Sequence, residues 1–170
     1  MTSPIHRIGD LEINQDLSVQ ERMWKIQRVG WAIMLVVVFL GLIGLFGHGP
    51  ISWTSAGNKA QGFWVEYERF VRNQSQSTLL IHLPTINGSD RVSFWLNDTF
   101  VAGVEIQHMT PAPRATAEMD HGVLYEIDLV DKQEQVLIIL PLIHQRSGWL
   151  AGEVRSPRVV PVKFTQLVYP

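Results

Sequence analysis

The longest apolar run of the chain lies at residues 29–47 and contains no charged side chain. A helix rises about 1.5 Å per residue, so this run covers nearly 30 Å, the thickness of the hydrocarbon core of a membrane. No face of such a helix would be polar, whereas a surface helix of a soluble domain has a polar face. Residues 48–170 are too few to enclose it, and it exceeds the apolar core of a signal peptide, about 7–15 residues. The run therefore predicts an uncleaved transmembrane helix.

The charges that flank this run predict its orientation. Three basic residues precede it closely: Arg22, Lys25 and Arg28. The first Lys or Arg that follows it is Lys59. Because cytoplasmic flanks carry the excess of Lys and Arg, we expect residues 1–28 in the cytoplasm and residues 48–170 outside it.

Short signals mark the ends of the predicted helix. Ser18 and Glu21 fit a capping box, which predicts that a juxtamembrane helix begins at about residue 18 and continues into the span. Trp31 and Trp53 lie near the two ends of the apolar run, where amphipathic rings are enriched at membrane surfaces. Residues 48–62 are rich in Ser, Gly and other small or polar residues, and this composition predicts a tether.

From residue 63 onward the apolar residues recur every second position. The first such segment alternates Trp64, Glu66 and Glu68 with three apolar residues: Phe63, Val65 and Tyr67. About seven or eight segments of this kind follow one another, separated by turn signals. Residues 63–170 therefore predict an all-β domain with an immunoglobulin-like antiparallel sandwich. The chain has no cysteine, so we expect this domain to be stable by packing alone.

Four short motifs carry a resemblance to known proteins. They are Arg-Val-Gly-Trp at 28–31, Gly-Pro-Ile-Ser at 49–52, Val-Glu-Tyr-Glu-Arg-Phe at 65–70 and Phe-Thr-Gln-Leu-Val-Tyr-Pro at 164–170. With the overall layout, they resemble a family of uncharacterised bacterial single-pass membrane-anchored proteins with an outer all-β domain. The resemblance covers most of the chain. It implies a bacterial inner membrane, a periplasmic or extracellular β domain and an accessory role beside small multi-pass membrane proteins, and it implies no catalytic residue.

Composition and motifs argue against several classes of function. The net charge of −2 lacks the basic footprint of a nucleic-acid-binding protein. The lack of cysteine excludes disulfides, thiolate metal sites and a cysteine nucleophile. The chain also has no Gly-x-Ser-x-Gly, His-Glu-x-x-His or phosphate-loop motif. We therefore expect no enzymatic activity, no cofactor and no nucleic-acid partner.

One cluster of residue types leaves a metal site open. It consists of His108, Met109, Met119 and His121. Imidazole and thioether groups bind copper, and Cu(I) favours the soft sulfur. The spacing resembles that of a periplasmic copper chaperone, but the closing His-x-Met of that family is absent. The stiff segment Thr110-Pro111-Ala112-Pro113 favours a loop that holds the two pairs apart.

Tryptophans on the outward phase of the strands are candidates for a partner surface. Trp64 and Trp95 alternate with residues assigned to the core, and Trp149 is a third candidate. Large aromatic residues on an outer face mark contacts with proteins or membranes, although a neighbouring strand or loop that covers them would explain them equally well.

Together these observations favour a non-enzymatic, membrane-tethered interaction module. We expect its partners to be the lipid bilayer and another integral membrane protein. The alternative is a periplasmic copper-binding or copper-delivery protein that uses the His/Met cluster.

Overall fold

The computed structural model describes residues 7–8, 11–12, 17–42, 52–85, 90–129 and 134–170. The chain divides into two compact units, Met1–Leu40 and Gly41–Pro170.

The N-terminal unit contains one long helix. Two short strands, β1 (Arg7–Ile8) and β2 (Leu11–Glu12), pair antiparallel before it. The helix α1 (Leu17–Leu42) begins one residue before the predicted start, and its stretch Val19–Leu42 is long and apolar enough to cross a membrane. Its described side chains are exposed along the whole length, apart from the half-buried Leu40. The last part of the predicted span, residues 43–47, lies outside the described residues.

The C-terminal unit is built from strands. They are β3 (Trp53–Asn58), β4 (Phe63–Glu68), β5 (Phe70–Arg72), β6 (Gln76–Pro84), β7 (Arg91–Asn97), β8 (Val104–Ile106), β9 (Ala115–Met119), β10 (Gly122–Asp128), β11 (Gln135–His144), β12 (Gly148–Arg155) and β13 (Val162–Tyr169). A 3-10 turn (Lys59–Gln61) joins β3 to β4, and the short helix α2 (Asp98–Val101) follows β7.

These strands form two sheets that face each other across one core. The six-stranded sheet has the order β5-β13-β12-β7-β10-β9, and the five-stranded sheet has the order β3-β4-β6-β11-β8. Neighbouring strands pair antiparallel except β13 and β5, which run parallel. The prediction of an all-β, immunoglobulin-like sandwich preceded by one apolar helix is therefore confirmed.

The core is filled by the residues that the alternating pattern assigned to it. Residues such as Leu79, Ile81 and Leu83 in β6 have no exposed surface. The ring of Phe164 in β13 lies 4.9 Å from the ring of Tyr67 and 5.1 Å from that of Phe100, measured between centroids. Aromatic pairs at such distances add to the free energy gained by burying apolar area. Phe164 thus joins the six-stranded sheet, the five-stranded sheet and α2.

The prediction of a tether at residues 48–62 is wrong from residue 53 onward. Trp53–Asn58 is a strand that pairs with β4 along its whole length, from Trp53 opposite Glu68 to Asn58 opposite Phe63. Its small and polar residues hid it, because an edge strand covers little of the core. Only Ala56 packs against the core, and the pairing supplies the remaining stabilisation through backbone hydrogen bonds.

The alternation after β7 does not continue as a strand. Asp98–Val101 forms α2, in which the amide of Ala102 donates to the carbonyl oxygen of Asp98 at 2.7 Å. This turn directs Phe100 into the core, and strand structure resumes only at Val104. The apolar period of Phe100, Ala102 and Val104 therefore arises from two different elements.

The edge strand β9 (Ala115–Met119) is exposed at every position. It pairs with β10 on one side and has no strand partner on the other within the described part of the chain. The sequence of this strand shows no apolar alternation, because neither of its faces covers the core.

A close approach at Gly152 limits what this position tolerates. A Cβ atom on Gly152 would lie 2.2 Å from Cζ of Phe164 on the paired strand. We predict that Gly152→Ala lowers the free energy of unfolding by about 1–3 kcal/mol, because the ring has to leave its place in the core. Urea unfolding of the full chain in detergent, followed by near-ultraviolet circular dichroism, measures this loss.

Two variants control this experiment. Ala151→Ser, at the exposed neighbouring position, should change stability by less than about 0.5 kcal/mol. Phe164→Leu removes the clashing ring, so the double variant should lose less stability than the two single variants added together. Simple additivity would show that the ring does not limit Gly152.

Candidate functional site

The five-stranded sheet carries apolar residues on both of its faces. In β11 the residues 136, 138, 140 and 142 are buried in the core, while the residues between them point outward. We define the outer apolar face by Trp64, Leu80, His82, Leu137, Ile139, Pro141 and Ile143. The register places Leu137 opposite His82 and Ile139 opposite Leu80, so these side chains form adjacent rows. An antiparallel sheet with one wet face normally carries polar residues there, so this face has the composition of a surface that becomes covered.

Trp64 holds a fixed orientation at one border of this face. Its ring stacks on His82 of the paired strand, with centroids 4.0 Å apart and planes 10° apart. The indole Nε1 donates to Oε1 of Glu66 at 3.0 Å, and the ammonium of Lys59 lies 5.8 Å from the ring centroid. An aromatic side chain held in this way loses little conformational entropy when a partner binds.

His82 adds a polar atom that its own surroundings do not satisfy. Its Nε2 is buried and has no hydrogen-bond partner among the described residues, with Oε1 of Glu66 at 3.8 Å. Burial lowers the pKa of His82, the carboxylate of Glu66 opposes this effect, and Lys59 adds to it. The imidazole is therefore neutral at pH 7, and its stacked ring extends the apolar surface.

Trp95 points outward as its strand phase predicts, but its neighbours cover it. The guanidinium carbon of Arg155 lies 4.5 Å from the ring centroid, and Nε of Arg155 donates to Glu153 at 2.7 Å. The ring also lies over Gly122, where a Cβ atom would meet it at 2.4 Å. Trp95 is therefore half-buried within its own sheet.

Trp149 is the most exposed tryptophan of the sandwich among the described residues, at 75%. It lies at the start of β12 opposite Leu167, and Leu167 in turn lies opposite Phe70 of β5. These three residues form a row across the outer face of the six-stranded sheet. The preceding Gly148 has a φ of 119°, which a residue with a side chain rarely adopts.

A buried polar chain crosses the core between the two sheets. His144, with no exposed surface, has Nδ1 3.4 Å from Oγ of Ser77 and Nε2 3.2 Å from Oε1 of Gln166. The amide nitrogen of Gln166 donates to the carbonyl oxygen of Glu68 at 2.9 Å. Ser77 is only 3% exposed, so this Ser–His pair cannot reach a substrate and its role is structural.

The pH dependence of stability reports on this chain. Burial lowers the pKa of His144, while its hydrogen bond to Gln166 opposes the effect. In the unfolded chain this histidine has a pKa of about 6.5, so just below that pH it binds a proton more readily than in the folded protein. The contribution of His144 to the free energy of unfolding is therefore fully present above about pH 6.5 and is lost as the pH drops below that value. We predict that His144→Gln flattens the fall between about pH 6.5 and 5, by up to about 1.4 kcal/mol per pH unit.

Urea unfolding at a series of pH values measures this slope, whatever the absolute stability of the variant. Gln107→Ala, which changes an exposed side chain that carries no titratable group, is the matched control and should keep the parental slope. An unchanged slope for His144→Gln would contradict the prediction.

The His/Met cluster falls in two different environments. Met109 is buried in the core beside Thr110, which forms a bridge to Ile139 of the five-stranded sheet. Met119 is 56% exposed at the turn between β9 and β10 of the other sheet. His108 is exposed, and Nδ1 of His121 lies 3.9 Å from Oδ2 of Asp98. One thioether in the core and one in solvent do not present their sulfurs to a common ion.

Acidic side chains do not add a metal site to this region. In the described ranges, no group of three or more His, Cys, Asp or Glu side chains could hold a metal ion.

The two methionines should therefore differ in their effect on stability. We predict that Met109→Ala costs about 2–5 kcal/mol because it leaves a cavity in the core. Met119→Ala should cost less than about 0.5 kcal/mol. Thermal unfolding in detergent, with and without Cu(I) held by a competing chelator, measures both effects. A copper-induced stabilisation that Met119→Ala abolishes would favour the copper alternative instead.

A cleft of about 460 Å³ opens at the opposite end of the sandwich from His144, between the ends of the two sheets. Its lining includes Arg91, Glu126 and Arg158. Arg91 also lies 3.3 Å from a carboxylate oxygen of Asp128, and Arg158 has a φ of 66°. Because the lining carries both signs of charge, the cleft favours no single class of ligand.

The residues that predict orientation are distributed over both units. Arg22, Lys25, Arg28 and Trp31 lie on α1 and are exposed, and Trp53 opens β3 with 40% of its surface exposed.

Sequence reasoning missed the outer apolar face as a whole. Its signal was the uninterrupted apolar run at residues 136–143, which has no polar residue on either phase.

Comparisons with known proteins give similarity in structure only. The chain matches no protein-family model and no curated protein. A cohesin module from a family 33 glycoside hydrolase of Clostridium perfringens is similar in structure, with a TM-score of 0.44 and 9% identity. The similarity covers 68% of this chain and 98% of that module. A similarity of this size carries no argument about function.

Proposed function

We propose that the chain is a non-enzymatic, membrane-tethered interaction module that serves as an accessory partner of another integral membrane protein. The observation that carries this proposal is the outer apolar face of the five-stranded sheet. Strand β11 is apolar on both sides from residue 136 to residue 143, and β6 adds Leu80 to the outer side, yet only the inner side of these strands meets the core. Leu137, in the same row as His82 and Trp64, is 43% exposed.

The chemistry of this face defines the partner that fits it. Its centre carries no charged side chain, while Lys59 and Glu66 lie at the border, 3.8 Å apart. A central apolar patch with a polar rim is the usual anatomy of a protein interface. Trp64, held by His82 and Glu66, supplies the kind of rigid aromatic anchor that dominates binding energy. The partner therefore presents a flat apolar surface, not a charged groove.

The membrane setting of the proposal rests on the helix. Stretch Val19–Leu42 is apolar enough to span a bilayer, and its exposed side chains require an apolar solvent or partner helices. The basic residues Arg22, Lys25 and Arg28 support a cytoplasmic N-terminus and an outer β domain. The resemblance described above supports the inner membrane of a bacterium and a multi-pass membrane protein as the partner.

Site-specific photo-crosslinking in cells tests the proposal. We predict that a photoreactive phenylalanine at Leu137 gives one discrete adduct with an integral membrane protein, because this position is the most exposed one of the face. The same probe at Thr165, exposed on the outer face of the six-stranded sheet, is the matched control and should give no such adduct.

A charge placed in the face completes the test. With the probe at Ile143, Leu137→Glu should lower the yield of the adduct at least tenfold, because a carboxylate buried against an apolar partner costs more than about 1.4 kcal/mol. Thr165→Glu should leave the yield unchanged. Equal labelling from positions 137 and 165, or no adduct from position 137, would overturn the proposal.

A further inference from the structure

The chain enters the β domain at one end of the sandwich, here called the Ser52 end. Oγ of Ser52 donates to the carbonyl oxygen of Phe70 at 3.2 Å, and its own carbonyl oxygen accepts from the amide of Arg69 at 2.7 Å. Phe70 begins the row that continues through Leu167 to Trp149. The contacts of Ser52 therefore lie at the same end of the sandwich as the exposed Trp149.

An aromatic and apolar row lies at this end. Phe70 and Leu167 are half-buried, and Trp149 at the end of the row is 75% exposed. In contrast to Trp64 and Trp95, Trp149 has no stacking or cation–π partner among the described residues. An exposed indole that adjoins other apolar side chains is typical of a surface that contacts a protein or a membrane.

Basic residues lie at the same end of the domain as this row. Arg69, Arg72 and Arg146 are all exposed at the Ser52 end. None of them forms an ion pair with another described residue, and Arg69 donates instead to Oγ1 of Thr54 at 2.8 Å. Of the acidic residues nearby, Glu68 is buried and Glu105 accepts from Gln145 at 2.9 Å. The neutral Gln145 leaves the charge of the exposed Glu105 in place, so the three arginines give this end of the domain a positive balance of exposed charge.

We propose that this surface, formed by Phe70, Leu167, Trp149 and the three arginines, binds the anionic headgroup region of the membrane in which α1 is anchored. The inference rests on the proposed membrane anchor, but it needs no protein partner. Tryptophan concentrates at the boundary between headgroups and acyl chains, and arginine pairs with lipid phosphates. A protein partner of this surface would have to combine an apolar contact with a strong negative charge.

The length of the connecting chain makes this contact possible. Only residues 43–51 separate Leu42 from Ser52, and a chain of this length reaches at most about 35 Å. The anchor therefore confines the Ser52 end to the neighbourhood of the bilayer, where the effective concentration of headgroups is high. Contacts that would be too weak for a free domain then suffice to orient this one.

The lack of cysteine in the chain allows a direct test. Full-length Ser147→Cys, labelled with an environment-sensitive dye, is placed in nanodiscs of phosphatidylcholine and phosphatidylglycerol that contain a lipid with a shallow spin label. We predict strong quenching of the dye, because position 147 lies between Arg146 and Trp149. Ala60→Cys, exposed at the opposite end of the domain, is the matched control and should be quenched severalfold less.

Two further variants separate the contributions of the row and of the charges. Trp149→Ser changes an exposed side chain and should reduce the quenching at position 147 without loss of the folded circular-dichroism spectrum. Replacement of each arginine by Gln should shift the docking equilibrium about fivefold, and discs without phosphatidylglycerol should weaken docking in the parent protein.

The outcomes distinguish this proposal from the proposed function. Equal quenching at positions 147 and 60, or quenching at 147 that survives Trp149→Ser, would overturn the lipid contact while leaving the crosslink from Leu137 unaffected. A protein adduct from Trp149 in cells, together with no quenching in discs, would likewise overturn it. A chain that does not incorporate into discs would overturn the membrane anchor, and the lipid contact with it.

Discussion

The packing of Phe164 over Gly152 is the contact on which the sandwich depends. The ring occupies the space that the missing Cβ leaves on the neighbouring strand, and from there it reaches Tyr67 of the opposite sheet and Phe100 of α2. Three separate parts of the chain are thus tied to one side chain. Because close-packed interiors transmit small displacements, both outer faces depend on this contact for a fixed geometry. The positions of Trp64 and Leu137 on the outer face therefore depend on Phe164, although both side chains point away from the core.

The inner polar chain gives this core a second kind of order. Apolar packing tolerates many arrangements, whereas a buried hydrogen bond is lost when its partners shift. The contacts of His144 with Ser77 and Gln166 therefore hold one sheet in a single alignment with the other. In a domain without disulfides, these buried hydrogen bonds favour one alignment of the two sheets over others. Because His144 is buried in its neutral form, acid weakens this part of the core.

The period of apolar residues predicted the buried face of each long strand, because interior positions in a sandwich have to alternate. It did not predict β3 and β9, since edge strands that cover little of the core leave no such pattern. The outward phase of Trp64 and Trp95 was readable for the same reason. The exposed fraction of each tryptophan could not be predicted, because it depends on which side chain lies opposite it on the neighbouring strand. The stacking of His82 and the cover by Arg155 are consequences of register, and distant parts of the chain set that register.

The exposed edge of β9 has a consequence for solubility. Its outer amides and carbonyls have no strand partner among the described residues, so a strand of a second copy can pair with them, and repeated addition of this kind leads to fibres. The strand counters this hazard with its composition. Glu118 would have to give up its hydration in an edge-to-edge contact, and Pro111 and Pro113 just before the strand cannot donate to a growing ladder. Because Glu118 is exposed, its substitution by a β-branched apolar residue would therefore favour polymerisation without disturbing the core.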